Sequence, residues 1–259
     1  MTVVPYVAVP PDSGLRRDAP IVLAWHLLDT PRTERAFAAA MPLAGLDAWR
    51  IYFGLPLTGA RAPDAFMDLV LADVVRNVYR PIVEGVLAEL PAALASLRAS
   101  LGIGDGPIGL MGGSLGGAVA QTVLLEGGLE AQAAVLINPV TRLRPTIDAL
   151  SGGGYDWHGD ALDIADRLDF AARAPELATR SPRPAVQLIV GENDMVAAIR
   201  DPAADYLAAL AAAGVPHARH DVPGMAHALA EEPGVDPAPQ LPTAAEADRV
   251  AAAWFAQHL

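Results

Sequence analysis

The stretch "IGLMGGSLGGAVAQTVLL", residues 108–125, joins an apolar run to an alanine-rich one through a cluster of glycines that holds a single serine. The first run, with Gly and Pro at its start, reads as a buried strand. "LGGAVAQTVLL" opens a helix. Ser114 therefore stands at a strand-to-helix turn, with Gly112 two residues before it and Gly116 two residues after. In a G-x-S-x-G turn the serine is held in a strained backbone conformation, and its hydroxyl projects from the carboxyl end of a sheet. The flanking glycines leave room for the turn, because a Cβ there would collide with the neighbouring strand or helix. The helix points its N-terminus at the serine and favours developing negative charge. The amide of Leu115 is the natural oxyanion donor.

The rest of the chain supplies the sheet. Apolar runs of strand length recur at "YVAVP", 20–26, 48–54, 106–112, 133–139, 185–191 and 217–223. The inner runs are apolar on both faces, as expected of strands covered on both sides. Helical patterns lie between them, at about 66–100, 115–127, 201–213 and 244–258. This alternation predicts a parallel sheet with helices on both faces. Residues 140–183 break the rhythm, and a connection of that length usually carries structure of its own. It holds a turn-rich piece, "LSGGGYDWHGD", and an amphipathic helix, "LDIADRLDFAARAPEL". The expectation is one domain over residues 1–259 with a small lid-like insertion at 140–183.

Composition narrows the function classes. The 259 residues carry a net charge of -12 and no cysteine. Thiolate catalysis, disulfides and Cys-zinc sites are excluded. A nucleic-acid partner is disfavoured, since phosphate neutralisation needs clustered Lys and Arg. No apolar run has the roughly 18 residues of a membrane span. The first residues, "MTVVPYVAVPPDSG", lack a basic segment followed by a long apolar one, so the expectation is a cytoplasmic protein. Homo-oligomerisation is left open.

A serine is a poor nucleophile without a base, and the base needs an orienting group. In a sheet of this kind they follow in the order Ser, acid, His. Asp194, in "GENDM", lies three residues past the glycine that ends one strand run. His227, in "GMAHA", falls in the loop after the last strand. Glu192 is the rival acid. His26, at a strand end, reads as a loop anchor. His217 and His220 belong to the last strand and read as structural.

With Ser114, Asp194 and His227 in these contexts, the chain resembles the α/β-hydrolase superfamily, most closely its bacterial carboxylesterase, dienelactone-hydrolase and prolyl-oligopeptidase-like members. The resemblance covers most of the chain. It implies a mostly parallel central sheet of about eight strands flanked by helices, an insertion after the sixth strand, and an active site at the carboxyl edge. It implies the catalytic roles of Ser114, Asp194 and His227, and no metal or organic cofactor. The family usually has His-Gly-x after its third strand, and the residue after that Gly gives the second oxyanion N–H. Here the segment is "WHLLDTPRTE", with Leu27 in place of Gly and Leu28 as the matching donor. A non-glycine at 27 restricts the loop's backbone.

The expected activity is cleavage of a small-molecule ester with a small to medium acyl group. The expected substrate contacts are Leu27, Met195, Tyr155 and Trp157. The same triad also serves thioester hydrolysis, acyl transfer, C–C hydrolysis and perhydrolysis. A hydrolase fold kept as a non-catalytic binding protein is the remaining alternative.

Overall fold

The computed structural model describes residues 4–259. Its centre is a seven-stranded sheet of β1 (Tyr6–Val9), β2 (Ile21–Trp25), β3 (Trp49–Phe53), β4 (Ile108–Gly113), β5 (Ala131–Ile137), β6 (Ala185–Gly191) and β7 (His217–Val222). The spatial order is β1-β3-β2-β4-β5-β6-β7. β1 pairs antiparallel with β3, and every other pair is parallel. The seven runs read from the sequence are these seven strands. The sheet is one strand short of the eight implied by the resemblance, because β1 alone lies outboard of β3. The long insertion accordingly leaves the fifth strand in chain order, not the sixth.

The helices are α1 (Glu34–Ala40), α2 (Phe66–Val74), α3 (Arg80–Leu101), α4 (Leu115–Glu126), α5 (Leu143–Leu150), α6 (Asp160–Arg167), α7 (Phe170–Ala178), α8 (Asp201–Ala212) and α9 (Pro242–His258). Residues of β2 show how the two layers arise. Ile21, Leu23 and Trp25 pack into one core with α3, α4, α7 and α8. Val22 and Ala24 pack into a second core with α1 and α9. Successive strand side chains point to opposite faces, so a strand that is apolar throughout feeds both layers. Among the described residues, no helix is long and apolar enough to cross a membrane.

Two helices read as continuous are broken, each at an aspartate. The run at 66–100 divides at Asp73, whose backbone is extended (φ -171°, ψ 97°), and resumes through a π-turn at Val75–Tyr79. The Asp73 carboxylate accepts a hydrogen bond from the Arg76 amide at 2.9 Å. The run at 162–177 divides into α6 and α7, where Asp169 caps the Ala172 amide at 3.1 Å. Aspartate satisfies orphan amides at a helix start and competes with helix continuation. Apolar periodicity carries through such a break and does not register it. α1 was hidden for a related reason: it is short, and Thr33 caps it by accepting from the Ala36 amide at 3.2 Å.

Candidate active site

Ser114 sits between β4 and α4 at φ 50°, ψ -118°. A positive φ is uncommon for a residue with a Cβ, and such strain persists where the surroundings over-determine it. Here both ends of the turn are pinned. The Ser114 amide donates to Ile137 O on β5 at 3.0 Å, and its carbonyl accepts from Val140 N at 3.1 Å. A Cβ at Gly112 would strike the backbone of Gly116, and one at Gly116 would strike the carbonyls of Trp25 and His26. The two glycines are thus required by the close approach of strand, helix and the β2 exit. Leu115 opens α4, so its amide has no carbonyl a turn earlier to bind.

The three residues expected to act together meet. His227 Nε2 lies 2.9 Å from Ser114 Oγ. His227 Nδ1 lies 2.9 and 3.0 Å from the two carboxylate oxygens of Asp194. The Asp194 side chain is fully buried and accepts a further hydrogen bond from the Met195 amide at 2.6 Å. Ser114 is 7% exposed, enough to be reached from one side. Glu192, the rival acid, is exposed. His217 and His220 lie on β7, and His220 pairs with Glu246.

The segment after β2 is held by His26. This histidine is completely buried, and burial lowers its pKa to about 4 against the weaker opposing effect of its bond to Leu27. Its imidazole is therefore neutral at pH 7. Nδ1 is 2.6 Å from the carbonyl oxygen of Leu27, which fixes the hydrogen on that nitrogen. Nε2 is then the acceptor for the Leu55 amide at 3.3 Å, while the nearby Thr58 hydroxyl donates to Leu55 O at 2.9 Å. In a trans peptide the C=O and N–H point opposite ways. Holding Leu27 O toward His26 turns the Leu28 amide the other way, and that amide has no hydrogen-bond partner among the described residues.

Asn138 directly follows β5 and, carrying no charge, offers no carboxylate to the triad. It is buried with φ 44°. Its side-chain oxygen accepts from Gly191 N at 2.7 Å, below the Asp194 loop. Its amide nitrogen donates to Ala226 O at 2.9 Å and His227 O at 3.2 Å. One side chain therefore ties both loops of the acid and the base. The signal available was a polar residue ending an apolar strand, of a type that tolerates positive φ.

The four expected substrate contacts are dispersed. The Leu27 side chain is buried against Gly113, beneath the turn. Met195, next to Asp194, is 39% exposed. Tyr155 and Trp157 stack edge to face with centroids 4.6 Å apart. Their polar ends are engaged, Tyr155 with Asp73 at 2.7 Å and Trp157 with Asp148 at 2.6 Å.

No family model and no curated protein sequence matches the chain. Solved structures do. The protein TT1662 of Thermus thermophilus superposes with a TM-score of 0.66 at 20% identity, over 97% of this chain and 92% of its own. The esterase PE8 superposes with a TM-score of 0.60 at 17% identity, over the whole of both chains. A puromycin-hydrolysing peptidase of Mycobacterium tuberculosis gives a TM-score of 0.66 at 18% identity, over 99% of this chain but 37% of the peptidase. With a mostly parallel seven-stranded sheet flanked by helices that superposes on these structures over nearly its whole length, the chain has the α/β-hydrolase fold.

Proposed function

We propose that the protein is a serine hydrolase that cleaves carboxylic esters of small to medium acyl groups through an acyl-enzyme. The observation that carries the reading is the unbroken relay from Ser114 Oγ to His227 and on to Asp194, each link between 2.9 and 3.0 Å. Ser114 Oγ attacks the ester carbonyl while His227 Nε2 takes its proton. Asp194 holds the imidazole with hydrogen on Nδ1 and stabilises the imidazolium. The amides of Leu115 and Leu28 receive the oxyanion. His227 then protonates the leaving alcohol, and the same base activates a water that releases the acid.

The strain at Ser114 adds support. A left-handed serine costs of order 1–3 kcal/mol, a burden that a non-catalytic scaffold has no reason to keep. Esterases and peptidases both occur among the structures of this fold. Ester cleavage is preferred because exposed apolar side chains, Met195 and Val196, stand directly after the triad acid. The test is turnover of p-nitrophenyl esters and of acyl-CoA thioesters by the wild-type protein and by Ser114→Ala. Ester turnover that vanishes in the variant supports the reading. Turnover of thioesters alone would move the protein to the thioesterase class.

A further inference from the structure

A cavity of ≈ 230 Å³ opens beside the nucleophile turn, lined by Leu28, Leu57, Ala62, Phe66 and Val235, with Arg32 and Thr58 as polar members. It shares a wall with the site: Leu27 also lines it, and the Leu27 side chain abuts Gly113, the residue before Ser114. Both polar members are already engaged. Arg32 lies 2.8 Å from Glu232 and 3.8 Å from Asp29. The Thr58 hydroxyl lies 2.9 Å from Leu55 O and 3.2 Å from His26 Nε2. An occupant therefore meets mostly hydrocarbon, with the charge of the partly exposed Arg32 offset by Glu232 and Asp29.

The backbone holds these walls in place. Leu57 is at φ 61°, a conformation that a leucine adopts only when its surroundings impose it. The imposing contacts are those of buried His26 with Leu55 and Thr58, on either side of Leu57. The cavity's volume is below the roughly 300–1,000 Å³ of pockets for drug-sized ligands, and equals about seven or eight water shares of ~30 Å³. That is room for a short to medium chain.

We infer that this cavity is the acyl subsite, that it takes an uncharged hydrocarbon chain, and that Phe66 and Val235 set the chain length. The inference rests on the ester-hydrolase reading for the word acyl, whereas the cavity's taste for hydrocarbon does not. It places the chain in a cavity that Tyr155 and Trp157 do not line; their polar ends are engaged by Asp73 and Asp148.

The test uses two filling variants, Ala62→Phe and Val235→Trp, at positions exposed enough to accept a larger side chain. Binding of 4-nitrophenyl octyl ether, which cannot be cleaved, is measured by calorimetry. The octanoate-to-acetate ratio of kcat/KM is measured with p-nitrophenyl esters. Both variants are expected to weaken ether binding about tenfold or more and to lower the ratio by a similar factor. This matches the 10–200-fold that a hydrophobic pocket extracts from missing methylenes. Phe66→Ala is expected to raise the ratio, and Trp157→Ala to leave it within about twofold. Ether affinity and ester ratio both unchanged in the filled variants would overturn the inference. Ether binding that responds to filling, in a protein that cleaves no ester and whose Ser114 takes no fluorophosphonate, would leave the hydrocarbon site standing and remove the hydrolase reading.

Discussion

His26 Nδ1 lies 2.6 Å from the carbonyl oxygen of Leu27, and this contact turns the Leu28 amide away from His26. A leucine occupies position 27, and a neutral buried imidazole holds the backbone. His26→Ala should lower kcat by on the order of 10²–10³, the loss of one oxyanion donor. Stopped-flow rates of acyl-enzyme formation check this. A fall in stability with unchanged kcat would assign His26 a purely structural role.

The same histidine predicts an acid-sensitive fold. Its pKa is about 4 in the folded chain against an ordinary 6.5. Above pH 6.5 neither state is protonated, and His26 contributes no pH dependence. As pH falls from 6.5 to 4 the unfolded chain binds the proton first, and stability drops by up to about 3 kcal/mol. Urea unfolding at pH 7, 5.5 and 4 should show this loss, and His26→Gln should flatten it. A slope identical in both proteins would contradict the assignment.

The strain at Ser114 can be released. Ser114→Gly should abolish turnover and raise stability by about 1 kcal/mol, because glycine adopts φ 50° without a Cβ penalty. Ser114→Ala should abolish turnover without that gain. Thermal unfolding of the two inactive variants side by side measures the difference. Equal midpoints would mean that the turn stores no strain.

How much of this the sequence carried depends on the scale of the signal. The inner strands were legible because each is a short apolar run, whereas polar β7 (HARHDV) is marked by the prolines on either side, Pro216 and Pro223; the positions of Ser114, Asp194 and His227 were legible because they follow strand ends. Breaks at Asp73 and Asp169 were not, since a capping aspartate leaves the apolar period intact. The role of Asn138 was hidden too. Its three partners, Gly191, Ala226 and His227, are backbone groups more than 50 residues away. Backbone donors and acceptors leave no mark in side-chain identity.

Asn138 gives a prediction of its own. Asn138→Gly keeps the positive φ but removes all three bonds to the Asp194 and His227 loops. As a positioning residue it should affect kcat more than KM, with a loss of about 10–100-fold, since small misplacements of catalytic groups cost on that scale. Asn138→Asp should fare worse, because a buried carboxylate cannot donate to the carbonyls of Ala226 and His227. Equal kcat for wild type and Asn138→Gly would remove Asn138 from the positioning of the triad.

The acid is tested by exchange at two neighbouring positions. Asp194→Asn should lower kcat by on the order of 10⁴, as when a triad acid no longer fixes the histidine tautomer. Glu192→Gln, on an exposed side chain, should change it by less than about twofold. The opposite ranking would transfer the role to Glu192.

The most direct measurement is covalent labelling by a fluorophosphonate, followed by peptide mass spectrometry. The predicted result is a single adduct on Ser114 in the wild-type protein, a rate reduced by several orders of magnitude in His227→Ala, and no adduct in Ser114→Ala. An adduct on another serine, or labelling of Ser114 at an equal rate without His227, would contradict a nucleophile activated by this histidine.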